Sequence, residues 1–136
     1  MQILKNQRAF TMIELLVVAT IMILLTTIGL ISFSQASISS RNAKRKADLE
    51  TLRQALTLYK QDYGYYANAS TVSFSGLVST LYTGEYLSTT TLTDPKNVSP
   101  YVYQATCSLT SGGTCTKVTL STSLESNATA YSIIAL

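Results

Sequence analysis

The chain has 136 residues, with 10 Lys+Arg against 7 Asp+Glu, two cysteines, no histidine and no tryptophan, which is room for one domain. Without histidine the commonest general base and metal ligand is gone, a Ser-His-Asp site is impossible, and two cysteines cannot close a four-ligand zinc site. The composition therefore speaks against an enzyme and against any metal or cofactor, and a net charge of +3 is too small to argue for nucleic acid.

The first nine residues, Met1-Gln-Ile-Leu-Lys-Asn-Gln-Arg-Ala9, are short and basic, and they run directly into Phe10-Thr-Met-Ile-Glu14 and a long apolar stretch. Such a start has the form of a targeting segment. Leu15 to Phe33 is uncharged and mostly apolar; at 1.5 Å per residue it makes about 28 Å of helix, against a bilayer core of roughly 30 Å. Leu, Ile and Val between Leu15 and Ile31 favour insertion by several kcal/mol, more than the roughly 3 kcal/mol an acid near one end opposes. A membrane span is predicted despite Glu14. An acid at that place is either paired and functional or merely interfacial. The rival reading is an ordinary secretory signal cleaved after Ser34-Gln35-Ala36, but the apolar region is longer than the roughly 7 to 15 residues of such a signal.

Beyond the span, Leu49, Leu52, Leu56, Tyr59 and Tyr63 recur at spacings of 3, 4, 3 and 4, one stripe of an amphipathic helix. No proline separates the two stretches, so the spacing predicts one continuous helix of about 50 residues ending near Gly64. Arg41, Lys44, Arg45 and Lys46 form a basic cluster just past the span, read as a solvated helix face rather than a DNA or anionic-lipid site. As exported residues they run against the positive-inside tendency that Lys5 and Arg8 serve.

From Ser70 the composition shifts to 26 Ser or Thr in 67 residues, which favours strands. Residues 101–107 and 115–121 flank Gly112-Gly113 and read as a hairpin, with 128–136 as a third strand. The predicted fold is α+β: a long N-terminal helix whose amphipathic half packs on a small antiparallel sheet. Three glycosylation sequons, at Asn68, Asn97 and Asn127, arise easily in so Ser/Thr-rich a chain and leave modification open.

Ala9 followed by Phe10-Thr-Met-Ile-Glu14-Leu-Leu-Val-Val-Ala resembles the processing and methylation segment of type IV prepilins and of their type II secretion pseudopilin relatives. Ala9 stands where the family usually has Gly, and the membrane half carries Thr26, Thr27 and Gly29 in place of a kinking proline. The resemblance extends over Arg45 to Tyr66, and Asp94-Pro95-Lys96 with Tyr101-Val-Tyr103 is similar to the Asp-Pro turn and Tyr-x-Tyr strand of the same groups. It implies a leader of residues 1–9 cut between Ala9 and Phe10 by a prepilin peptidase, and methylation of the new Phe10 amine. It further implies an assembly helix over 10–35 and a soluble pilin domain over 36–136, with helix 36–63, loop 64–100 and sheet 101–136. Glu14 would face the Phe10 amine of a neighbouring subunit. The implied partners are other copies of the chain, minor pilins, the peptidase and an inner-membrane assembly platform, with the inner membrane as the site before assembly and a surface pilus as the destination. No acid-rich calcium loop of the major pseudopilin kind is visible among the five scattered charges after Ser70, which favours a pilin; a pseudopilin and, more remotely, a DNA-binding competence pilin are the alternatives. Cys107 and Cys115 bracket seven residues and would reach the oxidising side of the membrane, so a disulfide is expected, similar to the C-terminal disulfide loop of type IV pilins.

Overall fold

A single helix, α1, runs from Met12 to Tyr63 and passes through two kinds of sequence. The computed structural model describes residues 10–67, 73–109, 114–125 and 129–135, and the chain divides into two compact units, Met1–Ser37 and Ile38–Leu136.

In the first unit the described residues are the apolar part of α1, long and apolar enough to cross a membrane. Its large apolar side chains are exposed among the described residues of this unit: Leu24 is 64% exposed and Leu30 72%. Three hydroxyls in this stretch are satisfied internally, Thr20 Oγ1 donating to the Val17 carbonyl (2.8 Å), Thr26 Oγ1 to Met22 (2.9 Å) and Thr27 Oγ1 to Ile23 (2.7 Å). These threonines thus close their polar groups off against the helix backbone, as a lipid environment favours.

In the second unit α1 contributes Leu49, Leu52, Ala55 and Leu56 to the core. The stripe expected from the spacing is therefore buried as far as Leu56. Tyr59 is only partly covered, and Tyr63 is exposed and stacks on Tyr59 with ring centroids 4.4 Å apart.

Between the first helix and the sheet the chain forms a second helix, α2, Phe74–Thr83, which corrects the loop expected over 64–100. Its serines and threonines pointed away from a helix, yet Leu77, Val78 and Leu81 are spaced for one helical face and all three are buried. Ser73 caps the N-terminus by accepting from the Gly76 N–H at 3.3 Å, and the Thr80 and Thr83 hydroxyls bond back to the carbonyls of Gly76 and Ser79. At the other end Gly84 is required by space: a Cβ there would meet the Tyr86 ring at 2.8 Å.

The sheet is an antiparallel meander of β1 (Gln104–Leu109), β2 (Cys115–Ser123) and β3 (Ala130–Ala135), in the order β1-β2-β3. Cys107 opposes Val118, and Val118 opposes Ala135. Two positions along, Ala105 opposes Leu120, and Leu120 opposes Ile133. Because side chains alternate, these residues share one face, which closes the core over α1 and α2. The Tyr101-Val-Tyr103 segment, expected to open the first strand, stays outside it. Tyr103 is buried instead, and its hydroxyl donates to Asp48 Oδ2 on α1 at 2.8 Å. The α+β layout with a small antiparallel sheet is the one expected.

Candidate functional site

At the N-terminal end of α1, Phe10 is 77% exposed and the first helical turn is organised by two residues. The Thr11 N–H and hydroxyl both donate to Glu14 Oε2 at 3.4 Å, and the Glu14 N–H donates to Thr11 Oγ1 at 3.3 Å. This is a reciprocal capping box, which satisfies N–H groups that have no partner further up the helix. The negative charge also sits at the favourable end of the helix dipole. Both bonds to the carboxylate go to Oε2, leaving Oε1 without a partner among the described residues. The Thr-x-x-Glu spacing announces this arrangement in the sequence, a signal that the charge of Glu14 alone does not carry. Ala9 lies outside the described residues, as do Gly112-Gly113 and the sequon residues Asn68 and Asn127. Asn97 is exposed in a turn with φ 47°.

A second constellation lies at the start of the α1 segment that belongs to the folded unit. Arg45 is fully buried. Its Nε donates to Asp94 Oδ2, Nη2 to Asp94 Oδ1 at 3.1 Å and to Glu125 Oε1 at 2.8 Å, and Nη1 to Asn42 Oδ1 at 2.8 Å. Its guanidinium carbon lies 4.8 Å from the centre of the Tyr101 ring. Glu125 is further held by Arg41 through two bonds of 2.7 Å and by Lys96 Nζ at 2.8 Å. The Asn42 side chain also accepts from the Glu125 N–H, and Asp94 Oδ1 accepts from the N–H groups of Lys96 and Asn97.

The basic cluster of residues 41–46 is thus not a uniformly solvated face. Arg41 and Arg45 turn toward Asp94 and Glu125, which arrive from positions 49 and 84 residues away, while Lys44 and Lys46 stay exposed. The spacing in sequence could not show it, because a burial preference for arginine appears only when its partners are known.

Electrostatically this cluster is locked. The bonds from Arg41, reinforced against burial by Lys96 and Arg45, hold the Glu125 carboxyl far below the usual carboxylate range. Burial pushes Asp94 up, but the bonds from Arg45 and from the Lys96 and Asn97 amides outweigh it, and its pKa is lowered. Burial and the bond to Asp48 push the Tyr103 phenol up. The cluster ties α1 to the 94–101 turn and to the segment just after β2. Among the described residues no group of three or more His, Cys, Asp or Glu is placed to hold a metal ion.

Cys107 and Cys115 are joined by a disulfide with Cα atoms 5.9 Å apart. Cys115 also receives the post-helix chain, its carbonyl accepting from the Tyr66 N–H at 2.8 Å. A bridge across so short a loop is worth about 2 to 3 kcal/mol. Replacing both cysteines by serine is expected to lower unfolding stability by that amount, read by denaturant titration, and non-reducing peptide mapping of the wild-type chain should return the two cysteines linked within one molecule.

Compared with known proteins, residues 4–30 match the model of the prokaryotic N-terminal methylation motif. No curated protein and no solved structure matches the chain. The matched residues hold Phe10, the Thr11–Glu14 cap and the first part of the exposed apolar helix. The motif marks structural proteins, and it implies processing by a prepilin peptidase and assembly into a polymer. This chain carries the prepilin-type cleavage and methylation segment of type IV pilins and pseudopilins, and its exposed apolar helix fits a membrane-anchored precursor of that kind.

Proposed function

We propose that the chain is the structural subunit of a type IV pilus, cut between Ala9 and Phe10, methylated at Phe10, and polymerised through the apolar part of α1 into a filament outside the cell. The observation that carries this reading is the contrast between the two units. In the unit Ile38–Leu136 the described residues build a core around Leu49, Leu52, Leu56, Leu77 and Leu120, whereas in the unit Met1–Ser37 the described apolar side chains of α1 are exposed. At 1.5 to 3 kcal/mol per large aliphatic side chain, so much exposed surface demands lipid or other copies of the helix. Glu14 fits the assembly role because one carboxylate oxygen is open to a neighbour's amine.

A pilin is favoured over a pseudopilin because Asp94 and Glu125 are occupied by Arg41, Arg45 and Lys96, the opposite of an acid cluster open to a cation. A DNA-binding role is weakened because two of the four basic residues at 41–46 are engaged by these carboxylates; steep salt dependence of DNA binding would revive it.

Mass spectrometry of the mature protein tests the processing. The expected N-terminus is methylated Phe10; a chain starting at Ser37, lacking the apolar helix, would refute the proposal. In a strain deleted for the chain, loss of surface filaments is expected, whereas filaments unchanged with enzyme secretion abolished would select the pseudopilin.

A further inference from the structure

The folded unit carries two dissimilar, unsatisfied surfaces at opposite ends of its share of α1. Near the start, Lys44 is exposed and has no partner among the described residues, in contrast to Arg41, Arg45 and Lys96, which Asp94 and Glu125 hold. Lys46 lies over the ring of Tyr131. Near the end, Tyr59, Tyr63, Tyr65 and Tyr86 form a cluster with ring centroids 4.4 to 6.3 Å apart. Tyr63 and Tyr65 are 53% and 40% exposed. Tyr59 and Tyr63 border an open cleft of about 460 Å³, whose other wall is Ser79, Thr80, Thr83 and Gly84 of α2. Asp62 accepts the Tyr86 hydroxyl through Oδ2 at 2.6 Å, leaving Oδ1 without a partner among the described residues. Lys60, on the same end, is turned onto the ring of Tyr66.

Exposed tyrosines clustered beside a carboxylate are the composition of an interaction hot spot, and a lysine ammonium satisfies both parts, by pairing with the acid and by lying over a ring. A filament needs two different, complementary surfaces on each subunit, since only head-to-tail contacts propagate without closing. We infer that the tyrosine cluster with Asp62 docks a second copy of this chain, which presents Lys44. The inference rests on the pilus reading above and adds to it the contact between folded units. Charge selects this occupant: an acid stands with the aromatic cluster, and an unpartnered cation stands at the other end of the same unit.

Helix geometry makes the test clean. Lys44 and Tyr63 are 19 residues apart on one helix, about 28 Å, whereas a disulfide spans Cα atoms no more than about 7 Å apart. A Lys44→Cys, Tyr63→Cys chain therefore cannot crosslink to itself through these positions. This double variant is expected to assemble at lowered yield, since it lacks Lys44 and Tyr63, but the filaments it does form, oxidised and run without reductant, should give a ladder of covalent oligomers, while each single variant should give at most a small fraction of dimer. Filaments that assemble but yield no ladder overturn the contact.

A second arm uses charge. Lys44→Asp and Asp62→Lys are each expected to lower filament yield at least tenfold, and the two combined to recover most of it. Single variants that assemble at wild-type yield, or a combination no better than either, also overturn it. Absence of filaments from the wild-type chain would instead refute the pilus reading itself.

Discussion

Glu14→Ala is expected to block or slow filament assembly, at least tenfold in yield, while leaving insertion and leader cleavage intact. An acid near a membrane span opposes insertion by up to roughly 3 kcal/mol, so its removal should leave at least as much chain in the membrane. What should disappear, on the proposed pairing of Glu14 with the Phe10 amine of a neighbouring copy, is a charge attraction that at about 4 Å and an effective dielectric near 20 would be worth roughly 4 kcal/mol and would select one axial offset among otherwise interchangeable apolar contacts. The structure adds a complication and the means to resolve it. Glu14 also caps its own helix through Thr11, and loss of a cap costs about 1 kcal/mol by itself. Glu14→Gln keeps an acceptor for the Thr11 donors but removes the charge. If charge pairing drives assembly, Gln and Ala both reduce filaments at least tenfold, counted by electron microscopy against equal membrane levels. If the cap alone matters, Gln assembles normally and only Ala fails.

Arg45→Met should be the most destabilising single change in the folded unit. It leaves Asp94 buried without its partner, and breaking a buried pair from one side costs roughly 3 to 5 kcal/mol. For a unit of this size that lowers Tm by on the order of 15 to 30 °C, read by circular dichroism of the full chain in detergent. Removing both partners, as Arg45→Met with Asp94→Leu, should recover much of the loss because no uncompensated charge remains buried. The same cluster sets the acid response. The Asp94 and Glu125 carboxyls are held below their ordinary range, so the stability they supply is fully present above that range and disappears as pH falls through their lowered values. Wild-type Tm should thus fall on acidification below about pH 4, where unfolded carboxylates have begun to protonate, and the double variant should show a flatter profile.

What could be read from the sequence and what could not divides along the range of the interactions. The long apolar helix and the burial of Leu49, Leu52 and Leu56 follow from local composition and spacing, so both were legible. α2 was hidden because its Ser/Thr content masks a helical Leu77, Val78, Leu81 face whose stability comes from packing. The Arg45 cluster was hidden for a stronger reason: Arg45, Asp94 and Glu125 meet only in the folded chain, and each taken alone looks like a surface charge. At the functional end, the Phe10 and Glu14 pattern is plain in sequence, and the cap that Thr11 supplies was equally available in the Thr-x-x-Glu spacing.

If this chain, once shortened to Phe10, builds a filament through its exposed apolar helix, immuno-electron microscopy of intact cells with antibody raised against the folded unit will show it. Labelling along the length of surface filaments is the result expected; label confined to the cell envelope, with unlabelled filaments or none, would contradict it.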